Sequence, residues 1–530
     1  MSLLEQAKAW LAQDPDPITR DQLQSIIDSG DETELQKSFE PRIAFGTAGL
    51  RGELGAGATR MNRVLVAQAA RGLADYLLER EPEPSVVIGY DGRVNSDVFA
   101  DDSAQILAGA GIRVTLFDRY VPTPVVAHSV KFGNFSAGIM VTASHNPPND
   151  NGYKVYLGGD FGGSQIISPI DRDIEAKILL VAQAQTFNEI PKSEVFERGG
   201  ENLREAYYES TLKLTESHYF NNRLKVVYTA MHGVGLETLN ELLRRAGASI
   251  PIPVTEQVHP DGSFPTTPFP NPEEPGAMDL AFAKARAVGA DLIIATDPDA
   301  DRLALGIPSA GGFIRLSGDE VGLLLAHELA TRTSTKGTFA NSIVSSSALR
   351  RVAEQNGLAY EQTLTGFKWI MRVENLSFGY EEALGYAVDP SHTPDKDGIS
   401  AALMALAIAD RLTKTGTTLG EYLSQLKQKY GYRPTAQVSV RVENKAVVGE
   451  ILNRLSQNPP TSLQGQAIRV EDLAKPGGKL PPTDGLKLYL ANGDWVILRP
   501  SGTEPKFKAY LETSEENLEA LKAEVRKLLI

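Results

Sequence analysis

Short runs of β-branched and aromatic residues alternate with helix-patterned segments through most of the chain, and this alternation confines it to α/β architecture. The strand-like Ser85–Tyr90 is followed by helical Asp97–Gly109 and then by strand-like Ile112–Phe117. The order restarts at Leu224–Thr229 ahead of helical Gly235–Ala246, and again at Asp291–Thr296. It recurs at Gly337–Val344 with the helical Ile399–Leu412. No strict short period links these units, so they read as tandem domains of related build, not as a solenoid. The C-terminal segment differs: strand-like Thr435–Val442 and Leu486–Leu498 surround helical Ala446–Leu455 and Glu515–Leu529, as in a smaller α+β domain. Boundaries near 205, 315 and 434 divide the chain into 1–204, 205–315, 316–433 and 434–530. A length of 530 residues calls for several such cores. The Pro-rich stretch Pro251–Pro275 reads as a long ordered loop, and Tyr430–Thr435 as a hinge.

A formal net charge of -14 argues against nonspecific binding to nucleic acid or to an anionic membrane, so an anionic substrate needs a local basic pocket. The absence of cysteine excludes disulfides, thiolate nucleophiles and thiolate-ligated metals. Met1–Asp16 mixes acids into a short amphipathic pattern, unlike a signal peptide, and nothing approaches the roughly twenty apolar residues of a membrane span. A cytoplasmic location is expected.

Chemistry concentrates in a few loops. Thr142-Ala143-Ser144-His145-Asn146-Pro147 follows the apolar run Ala137–Val141 and opens into Pro, Asn, Asp and Gly, which places Ser144 on a turn at a strand end. Serines in such turns often serve only to satisfy loop amides. Asp297, Asp299 and Asp301 alternate directly after strand-like Leu292–Ala295, so three carboxylates can converge on a hard cation. They would repel one another without a counterion, and the spacing lacks the glycine and distal glutamate of an EF-hand. Arg302 can offset their charge or hold a phosphate.

Arg499-Pro500-Ser501-Gly502-Thr503 combines a guanidinium, two hydroxyls and accessible backbone amides, the parts needed to grip a phosphate, although an ordinary polar turn uses the same residues. It lacks the Gly-Lys-Ser/Thr ending of a P-loop. Glu381 and Glu382 lie between glycines and can accept from sugar hydroxyls; a charged helix start is the simpler reading. Lys154, ten residues beyond Ser144, can return to the serine loop, and Arg51 sits in a glycine-rich segment that permits close approach to an anion. Lys154 and His145 are both candidates for proton transfer or phosphate contact.

Together these motifs resemble the α-D-phosphohexomutase superfamily, four separated loops occurring in the family's order over nearly the whole chain. The resemblance implies three related α/β domains and a fourth α+β domain around a central active-site cleft. It implies that Ser144 carries the transferable phosphate, and that Asp297, Asp299 and Asp301 bind Mg²⁺ together with an oxygen of that group. Glu381 and Glu382 then belong to the sugar loop, Arg499, Ser501, Gly502 and Thr503 hold the nonreacting phosphate, and Lys368, within Thr365-Gly366-Phe367-Lys368, matches a lysine of the sugar-binding region. Glu381-Glu382-Ala383-Leu384-Gly385 is similar to the form found in the branch containing phosphoglucomutases and phosphopentomutases, as are Phe45–Gly52 and Asp395-Lys396-Asp397-Gly398.

The expected activity is interconversion of α-D-glucose 1-phosphate and glucose 6-phosphate, with glucose 1,6-bisphosphate as intermediate and activator. The alternatives are phosphopentomutase, phosphomannomutase or glucose 1,6-bisphosphate synthase activity, a metal-dependent phosphatase, or a catalytically quiet sugar-phosphate-binding regulator. The expected partners are phosphorylated monosaccharides, with neither nucleic acid nor membrane.

Overall fold

In a computed structural model, residues 2–46, 49–442, 445–475, 480–500 and 506–529 are described. The chain forms two compact units, one of Met1–Leu316 with Gly385–Thr418, the other of Ser317–Leu384 with Leu419–Ile530. Among the described residues no helix is long and apolar enough to cross a membrane.

The first unit opens with three helices, Leu3–Gln13, Pro17–Ser29 and Glu32–Phe39, each started by a Ser or Asp side chain that accepts from an otherwise unpaired amide. Their apolar faces share a core with Val64, Ala67 and Ala70 of the long helix Arg63–Leu78. The main sheet has parallel strands Ala137–Val141, Ser85–Tyr90, Arg113–Phe117 and Glu197–Gly199, flanked by antiparallel Asp150–Leu157 and Leu50–Glu53. Ala137–Val141 is buried at every position, as expected of a strand covered on both faces. A second sheet is built around Val226–Thr229, Leu292–Thr296 and Leu303–Ser309. The stretch Pro251–Pro275 is mostly loop, with only the short strand Ile252–Pro253 and one turn of 3-10 helix.

In the second unit, Thr338–Ser342 pairs in parallel with Ala359–Thr363 and with Leu376–Glu381. The C-terminal sheet is antiparallel, running Thr435–Arg441, Lys506–Glu512, Trp495–Pro500, Leu486–Leu490, Gln466–Asp472 and Ser462–Leu463, with helices Lys445–Gln457 and Leu518–Leu528 covering it. Three α/β domains followed by an α+β domain is the architecture expected from the alternation pattern.

The segment expected to act as a hinge is anchored within this unit. Tyr430 is fully buried with its hydroxyl 2.8 Å from His327 Nδ1, Arg351 donates to the Gly431 carbonyl at 2.7 Å, and Thr435 donates to Asp319 at 2.5 Å. Buried Glu512 in turn accepts from Ser346 and Ser347. Movement at this junction would leave these polar groups unpaired, at about 1–3 kcal/mol each where they stay buried.

Burial pushes the Asp319 carboxyl up to about 6, although Thr435, Ser346 and Tyr380 all donate to it. Its folded pKa lies above the unfolded value, so the stability it contributes is complete below about pH 4 and disappears as pH rises through about 6. Asp319→Asn removes this titration. Between pH 4 and 7 the variant is expected to gain on the wild type by roughly 3 kcal/mol. Urea unfolding at several pH values checks this, and a pH-independent difference between the two proteins contradicts it.

Candidate active site

Ser144 takes its position from the end of the strand Ala137–Val141, where its backbone turns into the left-handed region at φ 53. That conformation costs a non-glycine residue about 1 kcal/mol and needs support. The support is a buried polar frame. Thr142 donates to Asp91 at 2.6 Å and accepts from the Ser144 amide at 2.8 Å. Arg93, with no exposed side-chain surface, donates to the carbonyls of Ser144, Asn146, Pro147 and Asp150 at 2.6–2.9 Å. Gly152 lies under the loop, where a Cβ would come 2.5 Å from the Thr142 carbonyl oxygen.

The Ser144 hydroxyl lies 2.9 Å from Asp297 Oδ2 and 3.1 Å from His145 Nδ1. Asp297, Asp299 and Asp301 follow the strand Leu292–Thr296, and Ala300 between them has φ 54, which tightens the loop and turns the three carboxylates inward. One oxygen from each falls within 4.8 Å of the others. All three side chains are buried.

Three cations share this space. Lys154, on the strand Asp150–Leu157, donates to Asp299 at 2.7 Å and to Asp301 at 2.9 Å. Lys396 lies 3.1 Å from Asp301, and Arg302 lies 3.9 Å from Asp297 and 4.0 Å from Asp301. Burial opposes charge on the three acids and on Lys154. At Asp301 the two lysines and Arg302 outweigh it and hold the carboxyl below its usual range; at Asp299, Lys154 and Thr123 do the same. Lys154 is held protonated by the same two acids. Asp297 is pushed well up by burial and by its two acidic neighbours. Burial, with Arg302 and Arg51 nearby, lowers His145 well below its usual value, so its imidazole is neutral at pH 7.

The donor set fits a hard divalent cation. Lys154 occupies Oδ2 of Asp299 and Asp301, while Oδ1 of each is buried without a hydrogen-bond partner. Two orphaned carboxylate oxygens beside the suppressed charge of Asp297 are what a cation would satisfy.

Arg51, half-buried, reaches Asn146 at 3.4 Å and so borders the serine loop. In the second unit, Arg499 contacts the Thr365 hydroxyl and Glu381 accepts from the Gly366 amide at 2.6 Å, which brings these four predicted residues together. Lys368 lies on the short helix Phe367–Ile370 that follows. Glu382 accepts from Ser342 and Ser345 at 3.0 and 3.1 Å, so this carboxylate also organises the end of the strand Thr338–Ser342. Glu381 ends a strand; no helix starts there. Ser501, Gly502 and Thr503 lie outside the described residues.

Four family models match in succession, described as phosphoglucomutase/phosphomannomutase alpha/beta/alpha domains I, II and III and C-terminal domain, at residues 42–184, 205–309, 317–430 and 438–528. The chain belongs to the phosphoglucomutase/phosphomannomutase family. It is accordingly a mutase of the phosphotransferase and isomerase class. It is similar to the probable phosphomannomutase of Haemophilus influenzae, 48% identical over 85% of this chain and 93% of the relative. It is also similar to the probable phosphoribomutase of Schizosaccharomyces pombe, 36% identical over 98% and 94%, and to the phosphoglucomutase of Staphylococcus haemolyticus, 34% identical over 94% and 96%. Among solved structures, a putative phosphomannomutase from Thermus thermophilus superposes with a TM-score of 0.72 at 28% identity, covering 92% of this chain and 99% of the other. The mutase family thus holds across sugar names, and the sugar itself is not decided by these relatives.

Sequence reasoning singles out Lys396 only within the motif Asp395–Gly398, without a role, and does not reach Arg93, Asp91 or Thr123. Asp91-Gly92-Arg93 after the strand Ser85–Tyr90 offered a signal, a charged pair at the C-terminal end of a parallel strand.

Proposed function

We propose that this mutase interconverts α-D-glucose 1-phosphate and glucose 6-phosphate through a phosphorylated Ser144 and glucose 1,6-bisphosphate. The observation that carries the reading is the Ser144 hydroxyl, held in a strained turn between Asp297 and a neutral His145. Phospho-Ser144 gives its phosphoryl group to the free sugar hydroxyl: the Oγ–P bond breaks and a sugar O–P bond forms. The proton lost by the sugar hydroxyl balances the one needed at Ser144 Oγ, and His145 Nδ1 is placed to hold it. Lys154 is bound to two carboxylates and stays charged, so its part is to neutralise. The bisphosphate then reorients and returns its other phosphate to Ser144.

Asp297, Asp299 and Asp301 would hold Mg²⁺, which when bound supplies positive charge to the transferring phosphoryl group. Arg302 and Arg51 add charge at the same place. Arg499, with Ser501, Gly502 and Thr503, is assigned to the nonreacting phosphate, and Thr365, Gly366, Lys368, Glu381 and Glu382 to the sugar.

A pentose 1-phosphate is the second reading, compatible with the Glu381-to-Gly385 sequence and favoured by the name of the Schizosaccharomyces pombe relative. Phosphorus NMR of glucose, mannose and ribose 1-phosphates, each with Mg²⁺ and a trace of the matching bisphosphate, separates them. The expected result is fastest conversion of the glucose ester with no inorganic phosphate. Faster ribose or mannose conversion replaces the sugar, and stoichiometric free phosphate replaces the mutase with a hydrolase.

A further inference from the structure

Within the second unit a cavity of about 740 Å³ opens between the edge strand Ala359–Thr363 and the strands Gln466–Asp472 and Leu486–Leu490. Its size suits a small-molecule ligand. Thr365, Glu381, Glu382 and Arg499 do not line it, so it is separate from the residues assigned to the sugar and phosphate.

Three cations line this space, of which Lys475 is exposed and paired with Asp472, leaving Lys487 and Arg350. Lys487 is only 8% exposed, its ammonium resting near the Tyr489 and Trp495 rings at 5.1 and 5.4 Å. Arg350 lies 5.1 Å over the Tyr360 ring. Neither forms an ion pair with a carboxylate among the described residues. Glu471 stands directly opposite Lys487 in the strand register, yet its carboxylate accepts from the Tyr489 hydroxyl at 2.8 Å. Asp472 is paired with Lys475 at 3.6 Å, and Glu354 and Glu361 are exposed at the rim. A nearly buried ammonium without a carboxylate is costly, and a second cation nearby adds repulsion. The direction of the Lys487 shift agrees: burial, with Arg350 and Arg469 nearby, outweighs Glu471 and Glu512 and brings it down to about 8.

We propose that this cavity binds a small phosphorylated metabolite, its phosphate held between Lys487 and Arg350. A dianion satisfies both charges at once, the guanidinium through paired N–H donors and the ammonium as a point charge. Gln362 and Thr483 supply neutral polar groups to the remainder of the ligand.

Pyridoxal 5′-phosphate tests this on the full-length protein, because its phosphate would dock between the cations while its aldehyde condenses with the Lys487 amine, losing water. Borohydride then reduces the imine, and peptide mapping reads labelling at Lys487 separately from every other lysine. Lys487 is expected to label about tenfold faster than exposed lysines, and Arg350→Met to slow it about tenfold, the loss of one charge-assisted contact. Glucose 6-phosphate is expected to protect at concentrations where sodium chloride of equal ionic strength does not. No labelling at Lys487, no effect of Arg350→Met, or equal protection by salt overturns the site. Protection by inorganic phosphate without protection by the ester overturns the metabolite and leaves a phosphate-ion site.

Discussion

Replacing Ser144 with alanine is expected to lower turnover on the order of 10⁴-fold or more while leaving the protein folded, because no other group can carry the phosphoryl group between the two half-reactions. The backbone complicates a simple reading. At φ 53 an alanine keeps the left-handed cost of about 1 kcal/mol and loses the hydroxyl contact to Asp297, so a lower melting temperature accompanies the loss of activity. Ser144→Gly separates the two effects. Glycine relaxes the backbone but supplies no nucleophile, so it should melt near the wild type and be equally inactive. Incubation with bisphosphate labelled in its phosphates should leave about one label per wild-type chain and none on either variant. Appreciable mutase activity in the glycine variant would sink the assignment of Ser144.

The architecture was readable from the alternation because each unit declares itself locally: a buried strand such as Leu292–Thr296 is a continuous apolar run, and the acids that follow it sit in the same loop. Ser144 and the three aspartates were readable for that reason, each motif being contiguous. Their mutual approach was not. The Ser144 to Asp297 contact spans 153 residues and the Lys154 to Asp299 contact 145, and each joins loops or strands of two different sheets of the first unit, which no local pattern reports. Thr123 carries no local sign of its role, since it starts the helix Thr123–Phe132, and Lys396 shows only as part of the motif Asp395–Gly398 ahead of the helix Gly398–Thr413, with nothing local to pair it with Asp301. The expectation that the aspartates need a counterion was sound physics with an incomplete inventory, because two lysines and an arginine already share the charge. The hinge motion expected near Tyr430–Thr435 was argued from the glycine and proline there, whereas the side-chain contacts that hold the segment in this state, at Tyr430 and Thr435, reach residues more than a hundred positions away and were not legible.

Lys154→Met is expected to cost about 3–5 kcal/mol of stability when a chelator is present, the usual consequence of removing one partner from a buried ion pair. The methionine keeps most of the stem but strips Asp299 and Asp301 of the ammonium that binds both, leaving Lys396 and Arg302 to offset three carboxylates. Burial then drives these acids toward protonation, as it already does Asp297. Adding Mg²⁺ should restore part of the loss, because a cation bound to the same carboxylates stabilises the folded state by about 2.7 kcal/mol at a hundredfold excess over its dissociation constant. The Mg²⁺-induced rise in melting temperature should therefore be larger in the variant than in the wild type, where Lys154 already compensates the site. Thermal unfolding of both proteins, with chelator and with Mg²⁺, reads this without reference to turnover. A second substitution, Asp299→Asn in the Lys154→Met background, removes one charge and should recover stability in chelator while shrinking the Mg²⁺ effect. If Lys154→Met unfolds like the wild type in chelator, or Mg²⁺ shifts neither protein, the buried aspartates are not the charge-balanced cation site that their orphaned oxygens indicate.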